Sequence, residues 1–280
     1  ATVTIDGAHL TTRLIATDQS HTDAAEAVIG EILTYETVIT LPEGTSPSAV
    51  LTQQLAPGLS LVAIDRIVAS DGVESGAEPD PSTIRPEDAD GGIANRFVID
   101  FGDIVNRNRD DCAADTITVV YRAVVANVLA NQQGESRVSD AAYQSGSGAP
   151  FADCSDAGPL VDLTAQAEAV TVVEPVLTVS VTPDGGPVVA GGRAEFVVTI
   201  RNDSDVDAFD VRVDDLVMPA GLALTAGGVA LPALPVLRAG EQAVWRFSAD
   251  VATDATVGGP LSVDVAVRFS SIPNDTDYAA

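Results

Sequence analysis

Residues 30–44, GEILTYETVITLPEG, alternate with period two. Leu33, Tyr35, Thr37, Ile39 and Leu41 share one face, and Thr34, Glu36 and Thr40 share the other. β-Branched and aromatic residues fill the stretch and Pro-Glu-Gly closes it, the pattern of a half-buried strand ending in a turn. The alternation recurs in TITVVYRAVV, VLTVSVTP, RAEFVVTIRN, FDVRVDD, AVWRFSADV and LSVDVAVRF, separated by Gly, Pro, Asn and Asp clusters. Many short strands spaced by turn residues predict an all-β sandwich or barrel. A helix starting near Asp23 through the Ala-rich DAAEAV is one reading open to that segment. Such a helix could not run on through YETVIT without mixing its faces.

An internal repeat underlies the pattern. GEILTYETVITLPEG aligns with GGRAEFVVTIRNDSD and sets Tyr35 over Phe196. Leu55 of LAPGL stands 20 residues after Tyr35, and Leu216 of LVMPAGL stands 20 after Phe196. Tyr121 of VVYRAVV matches Trp245 of AVWRFSADV, and a glycine follows each at an offset of 13, Gly134 or Gly258. The expectation is two tandem Ig-like β-sandwich domains, 1–174 and 175–280, joined within VTVVEPVLTVSVT, where a proline separates two strands.

The two copies differ in what surrounds the repeat. Domain 1 carries an acidic insertion, residues 71–92, expected as a long loop too poor in apolar residues to bury itself. Its last strand is expected across VDLTAQAEAVTVV, residues 161–173, whereas in domain 2 only IPNDTDYAA follows VDVAVRFSS. At the other end, TVTIDGAHLTT resembles VTVVEPVLTVS. Thr2, Val3, Thr4 and Ile5, within residues 1–7, therefore read as a strand belonging to a preceding or neighbouring domain. Either the chain continues in tandem, or each copy donates its first strand to the next by β-strand addition. Without one of these the domain 2 sheet, lacking its last strand, keeps an unpaired edge.

The formal net charge of −27 argues against nucleic acid and anionic membranes, which need a basic face. It favours solubility, cation binding or life in salty water. All 14 basic residues are arginine, so Schiff-base and P-loop lysine chemistry are excluded. No apolar run approaches the ~18 residues of a membrane span. His9 and His21 stand without the HxxxH, CxxC or GxSxG spacing of a zinc or nucleophile site. The glycines of PDGGPVVAGG lack the lysine and following helix of a phosphate loop. Enzymatic activity is not expected. Asp203, Asp205 and Asp207 alternate in a hairpin loop and offer oxygen ligands for Ca²⁺, without the glycine and terminal glutamate of an EF-hand. The cofactor expectation is therefore none, or calcium.

Cys112 and Cys154 lie in polar, loop-like surroundings. In a reducing compartment they would be free thiols, and in an oxidising one they would pair. Free cysteines tend to hide in apolar surroundings, which favours the pair. A disulfide closing this loop contributes roughly 3–4.5 kcal/mol in the chain-entropy model and implies export.

The first domain, from GEILTYETVITLPEGTSPSAVLTQQLAPGLSLV through FGDIVNRNRDDCAADTITVVYRAVVANVLANQQGESRVSDAAY, resembles the D2-type domain of bacterial surface and fimbrial proteins, a type that forms isopeptide bonds. The second, from VLTVSVTPDGGPVVAGGRAEFVVTIRNDSDVDAFDVRVDDLVMPAGLAL onward, resembles a repeat module found in many copies in large bacterial cell-surface proteins. The resemblance implies Ig-like sandwiches strung into stalks, adhesins or fibres outside the cell. It also implies a place for the isopeptide: a lysine on the first strand, an asparagine on a late strand and an assisting acid. In this sequence HLTTRLIATD offers Arg13 and RVSDAAY offers Asp140. A guanidinium stays protonated and is a poor nucleophile, so no cross-link is expected. An Arg13–Asp140 ion pair would replace it, of about 0–1 kcal/mol if exposed. The resulting expectation is an extracellular structural or adhesive protein whose partners are copies of itself or adjacent tandem domains. The alternative is a carbohydrate- or calcium-binding module of a large adhesin.

Overall fold

The computed structural model describes residues 7–23, 25–88, 93–109, 113–146, 161–225, 233–256, 258 and 261–273. The chain divides into two compact units, one ending at Val173 and the other beginning at Glu174. Apart from one 3₁₀ turn, Pro81–Thr83, every regular element among the described residues is a strand.

The first unit contains β1 (His9–Thr17), β2 (Glu26–Ala27), β3 (Ile32–Thr40), β4 (Gly44–Gln54), β5 (Leu59–Ala69), β6 (Val73–Ser75) and β7 (Glu87–Asp88). These are followed by β8 (Ala94–Asn106), β9 (Thr116–Val125), β10 (Ser136–Arg137), β11 (Asp140–Ser145), β12 (Val161–Gln166) and β13 (Val170–Val172). One sheet has the order β1-β3-β9-β5, the other β12-β11-β4-β8-β6, and β10-β13-β2 forms a small third sheet. The period-two reading of residues 33–41 holds throughout: Leu33, Tyr35, Thr37, Ile39 and Leu41 are all buried, and the residues between them are partly exposed. Tyr35 faces Tyr121 across β3 and β9, the rings stack at 5.5 Å, and Phe97 of β8 meets Tyr121 edge-on at 5.1 Å. Burial pushes the Tyr35 hydroxyl up to about 12 and raises that of Tyr121 further, so both stay neutral core residues.

The second unit contains β14 (Leu177–Pro183), β15 (Arg193–Asn202), β16 (Ala208–Val217), β17 (Leu222–Leu224), β18 (Leu234–Leu237), β19 (Gln242–Val251) and β20 (Asp264–Ser270). Its sheets have the orders β14-β15-β19-β17 and β18-β16-β20. The first matches β1-β3-β9-β5 strand for strand, and β18-β16-β20 matches β8-β4-β11. The duplication seen in the sequence is therefore a duplication of topology.

Its register moves by two residues. Phe196 faces Phe247, on which it stacks at 5.0 Å, while Trp245 faces Val198. The counterpart of Tyr121 is thus Phe247. In the β4–β5 turn Leu59 N–H donates to Ala56 O, and after β16 Leu222 N–H donates to Pro219 O, so Leu55 matches Met218 rather than Leu216. The added residues fall in the aspartate-rich turn, 203–207, which is longer than the 41–43 turn it replaces.

Three further expectations change. The DAAEAV segment forms no helix in its described residues: Glu26 and Ala27 pair in parallel with β13, and Ala27 is fully buried. The acidic insertion is partly built into the fold. Val73 is buried, β6 and β7 extend the β8 ladder, the Ser75 hydroxyl donates to Phe101 O, and Ile84 packs on the core. Residues 161–173 are two strands, not one. After β12 the chain turns at Ala167, whose N–H donates to Ser139 O, and then enters the small sheet as β13.

Glu31 closes the loop between β1 and β3. Its fully buried carboxylate accepts from Val28 N–H at 2.9 Å and from the Thr22 hydroxyl at 2.9 Å. Burial raises its pKa above 4.5, against the lowering effect of those bonds, and Asp18 adds to the rise. With the folded pKa above the unfolded one, the unfolded chain ionises first as pH increases. Stability contributed by Glu31 is complete below the unfolded value and declines through the window up to the folded pKa. Denaturant unfolding of the first unit at pH 7 and pH 4.5 should therefore show the natural chain gaining on Glu31→Gln as pH falls. Parallel pH profiles would refute it.

Candidate assembly edge

β20 ends its sheet. Among the described residues its outer edge has no ladder partner, whereas β11, its counterpart, is covered by β12 along Asp140–Ser145. The core shows the difference. On β11 the inward Ala141 and Tyr143 are 1% and 0% exposed. On and beside β20 the inward Val263, Val265 and Val267 pack against the core but stay only partly buried, as do Leu177, Val179 and Val181 of β14. β14 and β20 approach one another, just as β1 approaches β11 and β12. A seam of half-buried aliphatic side chains therefore runs where the two sheets meet, at the position that β12 covers in the first unit.

Several other edges are blunted, although β12 and β14 also end their sheets and pair without a bulge. β5 is bulged twice against β9, between Leu61 and Ala63 and between Ile64 and Arg66. β6 and β17 have three residues each, and β18 contains Pro235. Bulges, shortness and proline all discourage further pairing. β20 has none of these devices: both shifts in its pairing with β16 arise from extra residues on β16. The alternation of VDVAVRF was readable in the sequence, but its position at an edge was not.

The sequence-predicted residues fall as follows. Arg13 and Asp140 do not pair. Arg13 lies on the outer face of β1, its side chain 65% exposed, and bonds Glu36 Oε1 at 2.7 Å across the ladder. Asp140 lies exposed on β11 in the opposite sheet and accepts from Gln166 Nε2 at 2.8 Å. Period two turns both residues away from the core. The inward neighbour of Arg13 is Thr12, and a buried polar chain crosses the sandwich there. The Thr37 hydroxyl bonds the Thr12 hydroxyl at 2.9 Å and Gln53 Oε1 at 3.1 Å, and Gln53 Nε2 donates to Asp140 O at 2.9 Å. Sequence reasoning missed this bridge, although polar residues on otherwise inward-facing positions were its visible signal.

Asp203, Asp205 and Asp207 do not converge as calcium ligands. Asp203 pairs with Arg201 and accepts from the Thr178 hydroxyl, Asp207 accepts from Ala239 N–H at 3.0 Å, and Asp205 is exposed. The turn is organised by Asn202, fully buried, whose Nδ2 donates to Val206 O at 2.8 Å and Leu237 O at 3.0 Å, and whose Oδ1 accepts from Ser204. Among the described residues no three His, Cys, Asp or Glu side chains stand close enough to hold a metal. Cys112, Cys154, Thr2, Val3, Thr4 and Ile5 lie outside the described residues. His9 is exposed on β1. No helix among the described residues is long and apolar enough to cross a membrane.

The fold is that of an all-β protein of two sandwich units; among the described residues, β12 covers β11 in the first and no strand covers β20 in the second. No protein-family model matches the chain, and no curated protein matches it. Solved structures similar to it include a C-terminal fragment of the major pilin GBS80 of Streptococcus agalactiae, at 13% identity and TM-score 0.37, covering 96% of this chain and 88% of that one. Domains D2 and D3 of the major pilin SpaD from Corynebacterium diphtheriae match at 12% identity and TM-score 0.37, covering 95% and 84%. The major pilin subunit BcpA of Bacillus cereus matches at 10% identity and TM-score 0.39, covering 88% and 57%.

Proposed function

We propose that the protein is an extracellular structural or adhesive element of a cell-surface stalk or head-to-tail filament, in which copies join by β-strand donation. The observation that supports this most is that β20 has no outer ladder partner among the described residues, whereas β11, its counterpart in the duplicate unit, is paired with β12. A free, regular edge above a half-covered core is stabilised by adding a strand, which satisfies its N–H and C=O groups and removes apolar surface from water. The donated strand is the segment Thr2, Val3, Thr4 and Ile5 of a neighbouring copy. Its alternation puts two aliphatic side chains on one face.

Deleting residues 1–7 tests the proposal. Size-exclusion chromatography with light scattering should show concentration-dependent oligomers for the full chain and none for the deletion, while circular dichroism shows both sandwiches still folded. Equal assembly of the two proteins would sink strand donation.

A further inference from the structure

We infer that the seam between β14 and β20 is an acceptor for one strand in one register: residues 2–5 of a second copy, antiparallel to β20, with Val3 opposite Val267, Thr4 opposite Ala266 and Ile5 opposite Val265. The inference rests on the strand-donation reading and specifies its partner and geometry. The direction follows from the first unit, where β12 runs antiparallel to β11. The side-chain chemistry follows from the same place: β12 presents Val161 and Leu163 to the core, and both pack against it. Val3 and Ile5 supply the same aliphatic pair at the same spacing.

The register follows from β20. Within Asp264–Ser270 the residues packed against the core are Val265 and Val267. Phe269, of the same parity, is 38% exposed, and Val263 precedes the strand. Only one antiparallel register places both donor aliphatics opposite both inward valines within the strand. A one-residue slip would turn Val3 and Ile5 to solvent. A two-residue slip would set one of them opposite the exposed Phe269 or opposite Val263, outside the strand.

The donor does not simply repeat β13. TVTID aligns with VTVVE, which is β13 in the first unit and lies between β10 and β2. The described residues of the second unit contain no counterpart of β2 or β10, so the place left to fill is that of β12.

The test is a full-chain protein carrying Thr4→Cys and Ala266→Cys, with Cys112 and Cys154 left in place. Directly opposed residues in an antiparallel pair bring their Cα atoms within the ~4.4–6.8 Å range of a disulfide. Mild oxidation followed by non-reducing electrophoresis and peptide mapping should give intermolecular links between positions 4 and 266, several-fold above those of a control pair, Thr4→Cys with Val189→Cys. Val189 is 74% exposed on the same unit and reports random collision. A labelled synthetic peptide of the β12 sequence, VDLTAQ, should bind the chain and suppress the link. If the peptide binds but positions 4 and 266 do not link above the control, the assignment of the donor is overturned and the acceptor seam stands. If the peptide does not bind and no link forms, the seam itself is overturned, and loss or persistence of assembly in the residue 1–7 deletion still decides the proposed function separately.

Discussion

Phe247→Ala should melt the second unit while the first stays folded, at a cost of about 3–5 kcal/mol to the second. Phe247 is 1% exposed and stacks on Phe196 at 5.0 Å with the rings nearly parallel. The pair bridges β15 and β19, the two central strands of its sheet. Truncation removes the transfer free energy of a whole ring and leaves a cavity that rigid ladders on both sides cannot close. It also forfeits an aromatic contact of roughly 0.5–1.5 kcal/mol. Such a loss is large against the ~5–15 kcal/mol that holds a typical domain. Differential scanning calorimetry should show one transition moving far down in temperature and the other unmoved. Trp245→Ala would be the larger of the two truncations had the tryptophan been the ring facing Phe196, so an unchanged melt for Phe247→Ala would overturn the two-residue shift in register.

Gly58→Ala should destabilise the first unit by about 2–4 kcal/mol, from a positive-φ penalty of ~1–2 kcal/mol and a steric clash. The same change at Gly221 in the matching turn should cost the second unit only the ~1–2 kcal/mol penalty. Gly58 has φ 91° and Gly221 has φ 99°, so backbone strain on adding a Cβ is the same in both. They differ in what the new methyl would meet. At Gly221 the nearest atom is Ala255 Cβ at 3.7 Å, an ordinary contact. At Gly58 it is Asn131 Oδ1 at 2.1 Å, an overlap that must move the asparagine. Asn131 is fully buried and saturated: Nδ2 donates to Gly58 O at 2.8 Å and Ala126 O at 2.7 Å, and Oδ1 accepts from Arg137 Nε at 2.8 Å. Displacing it strands the buried carbonyls and a nearly buried guanidinium, which costs more than the bonds contribute. Urea unfolding of the two variants should separate the strain from the clash. Equal losses would show that Asn131 yields without cost.

The sequence made the strands legible because half-burial imposes period two wherever a sheet covers a core. This is why residues 33–41 could be assigned face by face. It made the duplication legible because Tyr35 and Phe196 occupy equivalent inward positions. It could not place Trp245 against Phe247, since both are aromatic, inward and two residues apart. Only the cross-strand register chooses between them. Arg13 and Asp140 failed for a related reason: the resemblance suggested which strands to search but not which face, and a shift of one residue exchanges core for solvent. Residues 161–173 looked continuous because alternation survives across Ala167 even though the pairing partners change. β20 has no ladder partner on its outer side among the described residues. Its lack of a bulge is a property of pairing and is invisible in one strand read alone.

The split of residues 161–173 has a mechanical consequence. Tension entering the first unit through Glu174 would reach β13 first, not the long β11–β12 ladder. β13 is held on both sides. Thr171 and Val173 N–H donate to Ala25 and Ala27 O, Val172 N–H donates to Glu135 O, and Gly134 N–H donates to Val172 O. Val170 and Val172 are buried beneath these bonds. A pull directed along the strand would run across these hydrogen bonds and strain them together in shear, so that they would not open one at a time. Under such a pull the small third sheet would act as the strain relief of a cable, a short clamp that keeps traction from peeling the sandwich behind it.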